Sequence, residues 1–423
     1  MSSNEDILKR EKVDLEQIPS DAIAYYTPHS QSRKRIYFSK DTLLLMYHLV
    51  RLKYFSRDMI FDQYYILTKK KLSKRVLYSL IGNKTMPITS FSDDYRIMNV
   101  KFFYVSKSFT TWLLNIVHEI PEFIELMDVT EYEGSHYSLV TNRISGGKNG
   151  IKKINPHDYN ARKLCLKIGR ELIDRLPDIS PRELNITYFF PTNRELISVV
   201  PDAVIFVQGE RYYLEYDRNT EQHYKLLAKI IGYFEETYYA GDSIFFVFDN
   251  IAKPRNNLLH KRVENFISNV NQIKYNDTGL TYFEQAQRNQ VSLYALPSVN
   301  SISQITEKII DDIMQDQEQN EEELIQQFKK AKVVPYEIVS VEFAENIDGP
   351  FDYLLTYIDD YFEKQKMPLV KMYYGDVSMP SFLETLYQNF KNDYQKCGVI
   401  FSKEITQQYY PLPHDDFFTS LYM

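Results

Sequence analysis

Three short apolar runs rich in β-branched and aromatic residues lie close together in the middle of the chain, at residues 203–207, 212–216 and 244–248. Such runs predict β-strands. Gly209-Glu210 lies between the first two and predicts a hairpin turn. Between the second and third runs, apolar residues recur at helical spacing and predict a helix from Thr220 to about Tyr239. The pattern therefore predicts a hairpin followed by a strand–helix–strand unit.

Acidic residues mark one face of this predicted hairpin. Because side chains alternate along a strand, Glu215 and Asp217 point the same way. With the turn centred on residues 209–210, Asp202 pairs across from Asp217 and joins them. Three carboxylates on one face repel each other unless a cation lies between them, and Mg²⁺ or Mn²⁺ would supply that charge through oxygen ligands. The alternative interpretation is a solvent-facing hairpin edge.

The predicted helix carries Glu221, Lys225 and Lys229 at successive turns, which places them in one stripe. This stripe could face the same point as the three carboxylates. The alternative is a salt-bridged helix surface in contact with solvent.

The hairpin, Pro201-Asp202 followed by Glu215-Tyr216-Asp217, resembles the PD-(D/E)XK nuclease motif, with Asp217 where that motif has lysine. The longer string PDA…YYLEYDRNTE…KLLAKIIGY resembles the replication-relaxation family of plasmid and conjugative-element proteins, which includes the MOBC class of relaxases. The resemblance covers roughly residues 36–300 and is sharp over residues 200–235. The positions that match its signature are Glu215, Asp217, Arg218, Thr220, Glu221, Lys229 and Tyr233.

The resemblance implies a restriction-endonuclease-like domain over residues 151–300, with Asp202, Glu215 and Asp217 as metal ligands and Mg²⁺ or Mn²⁺ as cofactor. Lys229 or Lys225 would replace the missing motif lysine. Asp217 could instead pair with Lys229 or Arg218 and only brace the hairpin.

Endonuclease-like folds open with a helix that often carries an acid, and residues 157–176 predict that helix. Glu171 is the candidate acid, with Asp174 and Asp158 as rivals, and a surface position is the alternative for each. A strand is predicted at residues 183–190, and a basic helix over residues 251–272.

The front of the chain predicts three helices, at residues 39–55, 57–67 and 72–81, followed by two strands about a turn at Asp93-Asp94. This is the order of a winged helix-turn-helix domain, here residues 36–133, whose third helix enters the major groove of DNA. The residues expected to face DNA are Lys70, Lys71, Lys74, Arg75 and Lys84, with Arg96 and Lys101 on the wing. A helical protein-docking module with a solvated basic face is the alternative.

Charge divides the chain into two parts. The formal net charge is −7, but residues 1–300 carry a net +5 and residues 301–423 a net −12, while residues 51–100 alone carry +6. A basic front predicts phosphate contact, and an acidic rear predicts a different partner.

The remaining segments complete a multidomain α+β or α/β chain. Residues 1–35 predict a flexible arm, and residues 301–332 a charged linker helix or short coiled coil. Residues 333–423 predict a small acidic α/β module that docks on relaxosome, coupling or replication proteins, or that only caps the neighbouring domain. The elements expected in this module are strands at 339–343, 369–373 and 398–401 and helices at 353–362 and 381–392.

Several classes of protein are disfavoured by what the sequence lacks. No segment approaches 18 uninterrupted apolar residues and no secretory signal is present, so we expect a cytoplasmic protein. Cys165 and Cys397 lack metal-ligand spacing and suggest reduced thiols. The eight histidines contain no His-hydrophobe-His pair of the type that most plasmid relaxases use, and the SGGKNG segment is not a P-loop.

The sequence therefore predicts a metal-dependent relaxase that binds double-stranded origin DNA and nicks one strand, for conjugative transfer or plasmid mobilization. The alternative is a catalytically inactive origin-binding accessory or replication protein.

Overall fold

Serine residues set the start of the helices in the front of the chain. Ser39, Ser56 and Ser73 each accept a hydrogen bond from a backbone N–H of the following first turn, which satisfies a donor that the helix itself leaves free. The helices that follow are α1 (Lys40–Leu52), α2 (Arg57–Thr68) and α3 (Lys74–Leu80). The three helices predicted in this region are confirmed.

The computed structural model describes residues 23–26, 35–82, 86–90, 96–97, 100–116, 155–190, 200–218, 221–235, 241–249, 256–275, 278–314, 325–326, 328–330, 337–343, 349–373, 375–401 and 412–422. The chain divides into two compact units, residues 1–190 and 191–423. Most of the predicted arm, Lys84, the Asp93-Asp94 turn and residues 117–154 lie outside the described residues. Within them, no helix is long and apolar enough to cross a membrane.

Short strands accompany the helices of the first unit. They are β1 (Ile23–Tyr26), β2 (Arg35–Phe38), β3 (Phe55–Ser56), β4 (Ile81–Gly82), β5 (Ile88–Ser90), β6 (Arg96–Ile97) and β7 (Val100–Val105), followed by helix α4 (Lys107–Ile116). Strands β1 and β2 form an antiparallel pair. The order in the main sheet is β3-β7-β5-β4, and β6 pairs with β7. The two strands predicted after the third helix are therefore present.

The described part of the first unit ends with a long helix, a short helix and a strand. The long helix is α5 (Pro156–Arg175), with Asn155 as N-cap, and it is followed by α6 (Pro181–Leu184) and β8 (Thr187–Phe189). Asp62 of α2 is buried and lies 2.9 Å from Lys167 Nζ and 2.7 Å from Arg170 Nη1 of α5. The strand predicted at residues 183–190 begins late, because Ser180 and Glu183 form a capping box that starts a short helix.

The second unit contains two sheets. The first holds β9 (Ala203–Val207), β10 (Glu210–Asp217), β11 (Ser243–Phe248) and β12 (Ser292–Pro297). The first two strands pair antiparallel, and β10–β11 and β11–β12 pair parallel. The connecting helices are α7 (His223–Glu235) between β10 and β11, and α8 (Asn256–Gln272) and α9 (Tyr282–Arg288) between β11 and β12. The predicted hairpin and strand–helix–strand unit are confirmed.

The segment predicted to be a charged linker forms helix α10 (Ser298–Met314) over its first half. Ser301, Ile305 and Ile309 on this helix are buried, so this part belongs to a packed core. Residues 315–324 lie outside the described residues.

The second sheet has the order β13 (Glu337–Phe343), β14 (Tyr353–Ile358), β15 (Lys364–Lys371), β16 (Cys397–Phe401) and β17 (Phe418–Tyr422). The first three strands pair antiparallel and the last two join in parallel, with helix α11 (Met379–Phe390) between β15 and β16. The helix predicted at residues 353–362 was wrong: YLLTYI is β14, because its aromatic and β-branched residues pair with β13 and β15 and Leu355 enters the core.

The outer edge of β12 is covered by a short segment that follows β15. Ala295 N donates to Gly375 O at 2.7 Å, and Val377 N donates to Leu293 O at 3.0 Å. Gly375 has φ +83°, and a Cβ there would collide with the carbonyl oxygen of Ala295. The close approach of the two backbones therefore requires glycine at this position.

Candidate active site and nucleic-acid interface

The turn of the first hairpin lies one residue earlier than predicted. Gln208 and Gly209 have φ +53° and +94°, which fits the two-residue turn that the right-handed twist of the strands favours. The register pairs Ala203 with Leu214. Continued by one residue, it sets Asp202 opposite Glu215, so the predicted pairing of Asp202 with Asp217 was wrong. A one-residue shift of the turn moves every cross-strand partner by two residues, here from Asp217 to Glu215.

Glu215 is the most deeply buried of the predicted acids, with 2% of its surface exposed. One carboxylate oxygen accepts a hydrogen bond from Lys229 Nζ at 2.8 Å, and the other accepts one from the Tyr233 hydroxyl at 2.8 Å. Lys229 and Tyr233 are one turn apart on α7 and therefore reach the same carboxylate. The structure thus brings together a strand acid and a helix lysine that the sequence had placed on different elements.

Lys229 lies among several carboxylates. Its Nζ is also 3.3 Å from Glu221. Burial lowers the pKa of Lys229. The negative charges of Glu215, Asp202 and Glu221, together with the hydrogen bond that Lys229 donates to Glu215, outweigh burial and raise that pKa. The amine therefore stays protonated at neutral pH and acts as a fixed positive charge.

Asp202 has a structural contact of its own. Its backbone N–H donates to Leu214 O at 3.0 Å, and its side chain accepts a hydrogen bond from Tyr216 N at 2.7 Å. The carboxylate is half-buried and contributes to the field around Lys229. It therefore both ties the two strands together and adds negative charge beside the lysine.

Asp217 is paired with a residue that sequence reasoning did not single out. Arg262 of α8 donates from Nε to the Asp217 carboxylate at 2.6 Å and contacts it again through Nη2. The same Nη2 reaches the carbonyl oxygen of Glu221 at 2.5 Å, and Glu221 N donates to Asp217 at 3.3 Å. This arrangement corresponds to the bracing alternative, with Arg262 in place of the expected Lys229 or Arg218. The only sequence signal was the basic character predicted for residues 251–272.

These contacts decide how well the acids fit a divalent metal ion. Among the described residues, no three His, Cys, Asp or Glu side chains converge on one point. Both oxygens of Asp217 accept hydrogen bonds, from Glu221 N and from Arg262. The predicted three-carboxylate set therefore does not fit as a unit. Both oxygens of Glu215 also accept hydrogen bonds, from Lys229 and from Tyr233. Asp202 and Glu215 would therefore hold an oxygen-liganded ion only by sharing or giving up these contacts.

The other predicted catalytic residues lie elsewhere. Lys225 is exposed near the start of α7. Glu171 lies in the first unit on α5, where Arg175 Nη1 is 3.7 Å from its carboxylate. Its rivals are also engaged, since Asp174 accepts a hydrogen bond from the Tyr65 hydroxyl at 2.6 Å and Asp158 one from Asn155 at 2.9 Å.

Helix α3 in the first unit presents a positively charged surface. Leu77 and Leu80 point into the core, and the other side of the helix is exposed. We call this exposed surface, together with the exposed Lys71 three residues before the helix, the basic face. It comprises Lys71, Lys74, Arg75, Val76 and Tyr78. Among the other predicted contacts, Lys70 is exposed and lies 3.2 Å from Asp41, and Lys101 is exposed on β7. Arg96 is described only as part of strand β6.

The neighbouring Lys69 has a different role. Its Nζ donates to the carbonyl oxygens of Leu176, Pro177 and Ile179 at 3.4, 2.8 and 2.7 Å. Cations favour the carboxyl end of a helix, where carbonyl groups lack partners. Lys69 therefore closes the end of α5, and the exposed positive charge begins at Lys70.

Comparisons with known proteins found no matching family model, no matching curated protein and no matching solved structure.

Proposed function

We propose that this chain is a relaxase-type DNA-binding protein that nicks one strand of origin DNA with the help of a divalent metal ion. The observation that carries the proposal is the 2.8 Å contact between Lys229 Nζ and Glu215. Strand β10 lacks the lysine of the nuclease motif, because Asp217 stands at that position. Lys229 on α7 would supply the missing positive charge. Asp202 lies opposite Glu215 on the neighbouring strand.

Each group has a distinct role in this proposal. Asp202 and Glu215 would hold Mg²⁺ or Mn²⁺, which supplies Lewis-acid activation of water and of the scissile phosphate. Lys229 stays protonated and neutralises charge on the phosphate. Tyr233 orients the Glu215 carboxylate through its hydroxyl, and Arg262 holds the backbone between β10 and α7 through Asp217 and Glu221.

DNA recognition is assigned to the first unit. In support of this assignment, α1, α2 and α3 come before the antiparallel strands β5 and β7, which is the order expected of a winged helix-turn-helix domain whose third helix would lie in the major groove. Lys74 and Arg75 on the basic face would contact DNA, and Lys101 on β7 would contact it from the wing.

Strand nicking tests the active site. A supercoiled plasmid that carries the DNA flanking the gene of this protein is incubated with Mn²⁺ and the wild-type chain, Lys229→Met or Lys225→Met. We expect Lys229→Met to lower the nicking rate at least about 100-fold. Lys225→Met is the matched change one turn earlier and decides between the two helix lysines. Undiminished nicking by Lys229→Met would overturn the assignment.

DNA affinity tests the basic face separately. Lys74→Ala combined with Arg75→Ala should weaken origin binding and lower its salt dependence by about one to two counterions. The matched control is Lys364→Ala with Lys366→Ala, two exposed lysines of the second unit. Equal affinity and salt dependence in both double variants would contradict the proposed interface.

A second candidate function is an origin-binding accessory protein without catalysis. The observation in its favour is that both oxygens of Glu215 and both oxygens of Asp217 accept hydrogen bonds from protein groups. Sequence-specific binding with no strand cleavage in Mg²⁺ or Mn²⁺ would select this function.

A further inference from the structure

The tip of the hairpin between β14 and β15 is held rigidly by one aspartate. Asp359 accepts hydrogen bonds from Tyr361 N and Glu363 N, each at 2.9 Å, and from the side chain of Gln365 at 3.0 Å. Phe362 has φ +63°, a backbone conformation that a phenylalanine rarely adopts. We call residues 359–363 the acidic tip. The three hydrogen bonds to Asp359 define the course of the backbone from which the tip side chains project.

Two large aromatic side chains project from the acidic tip. Tyr361 is 84% exposed and Phe362 is 91% exposed. Asp360 and Glu363, also exposed, flank them. Rigidly held aromatic residues at the surface are typical anchors of protein–protein contacts. The acidic flanks would repel phosphate groups, so the chemistry fits a cationic protein surface that also offers apolar area.

The basic face has the complementary composition. Tyr78 is 55% exposed and Val76 is 37% exposed, and Lys74 and Arg75 lie beside them. The opposite charges extend beyond these residues, since residues 51–100 carry a net +6 and residues 301–423 a net −12. Each surface therefore offers the other an apolar contact surrounded by opposite charge.

We propose that the acidic tip of one copy of this chain docks on the basic face of a second copy. Because the two surfaces differ, the contact is head-to-tail and can continue from copy to copy. DNA would compete with this contact for Lys74 and Arg75, so self-association and DNA binding exclude each other at each basic face. Self-association does not depend on strand nicking, but the competition with DNA rests on the DNA binding proposed above for the basic face.

Sedimentation velocity of the full chain, at low and at high salt, tests the proposal. The variants are Asp360→Lys with Glu363→Lys in the tip, and Lys74→Glu with Arg75→Glu in the basic face. Each charge-reversed variant alone should weaken self-association at least about tenfold, equivalent to about 1.4 kcal/mol. An equimolar mixture of the two variants should restore it, because the reversed tip then meets the reversed face. The matched control, Glu342→Lys with Asp393→Lys, changes the same number of exposed acids and should associate as the wild type does.

Two further measurements distinguish docking of the tip on the basic face from a general effect of net charge. Phe362→Ser should weaken association with no change in net charge, and a short DNA duplex should release single copies of the wild-type chain. A chain that is monomeric at every concentration and salt would overturn the proposal. Failure of the equimolar mixture to restore association would also overturn it. The same holds if the tip variant gains DNA affinity while its sedimenting mass equals that of the wild type.

Discussion

The hairpin of β9 and β10 and the hairpin of β14 and β15 follow the same plan. Asp202 and Asp352 each precede the first strand, and each donates its N–H to a leucine carbonyl on the second strand, at 3.0 and 2.9 Å. Each side chain then accepts a hydrogen bond from the backbone two residues after that leucine, Tyr216 N at 2.7 Å and Lys371 N at 2.6 Å. In both sheets a helix then leads to a parallel strand.

The two hairpins differ in the side chains that their second strands carry beside the shared aspartate. The register pairs Ala203 with Leu214 and Tyr353 with Leu369, so Val370 stands at the position of Glu215 and Met372 at that of Asp217. An aspartate at the start of such a hairpin is therefore explained by its backbone hydrogen bonds alone. The proposed chemistry is assigned to the first hairpin because that hairpin alone of the two combines the aspartate with Glu215 and Lys229.

The largest effect is expected when substitutions of Asp202 and of Asp352 are compared. Asp202→Ala and Asp352→Ala remove the same backbone hydrogen bond, so each should lower the free energy of unfolding by about 1 kcal/mol. Asp202→Ala, like Glu215→Ala, should abolish origin nicking while DNA affinity stays near that of the wild type. Asp352→Ala should nick normally. If all three variants relax plasmid at wild-type rates in Mn²⁺, the difference between the hairpins is not catalytic.

The next effect concerns the pair of Asp217 and Arg262. Arg262→Met leaves the buried Asp217 carboxylate without its cation and should lower the free energy of unfolding by about 3 kcal/mol, measured by urea denaturation. The second hairpin has Met372 at this place and needs no cation there. The double change Asp217→Met with Arg262→Met should therefore recover most of the loss. A double variant as unstable as Arg262→Met would show that the pair does more than balance charge.

A smaller effect depends on pH. Asp242 precedes β11 and its burial raises its pKa to about 6, although Arg211 lies 3.2 Å away. Since the folded state holds this proton more tightly than the unfolded chain, the contribution of Asp242 to stability is fully present below about pH 4. It should fall by about 2–3 kcal/mol as the pH rises from about 4 to about 6. Gln395 stands at the equivalent position before β16. Asp242→Asn should remove this fall, and a fall that persists in that variant would assign it to another group.

The smallest effect is expected at Lys371, which stands where the first hairpin has Tyr216. Its Nζ lies 2.5 Å from Asp311 of α10, and both side chains are partly exposed. Lys371→Met should therefore cost about 1 kcal/mol of unfolding free energy or less and leave nicking unchanged. Thermal unfolding and the plasmid assay check the two expectations. A loss of nicking here would extend the candidate site to the second sheet.

Local patterns predicted the elements of the first hairpin well, and long-range partners poorly. Continuous apolar runs predicted β9, β10 and β11 because buried strands leave few polar positions. The turn was misplaced by one residue, because Gly209 can serve as either central residue of a two-residue turn. That single step changed the partner of Asp202 from Asp217 to Glu215.

Arg262 could not be predicted as the partner of Asp217, because the two residues are 45 positions apart and meet only when α8 packs on the sheet. Tyr353–Ile358 was predicted as a helix, although its aromatic and β-branched residues suit a strand and pairing on both sides decided the outcome. Lys229 was predicted as a candidate cation because the spacing of α7 is regular enough to place its residues on one face.

The segment at Gly375 has a practical consequence for any attempt to isolate the sheet that contains β9, β10, β11 and β12. By bonding to β12, it covers an edge that would otherwise present unpaired backbone groups to solvent. Exposed edges of this kind recruit strands from other molecules and lead to aggregation. A chain truncated after residue 300 would keep every candidate catalytic residue and lose the segment that shields β12. Such a fragment is expected to aggregate through the exposed edge of β12.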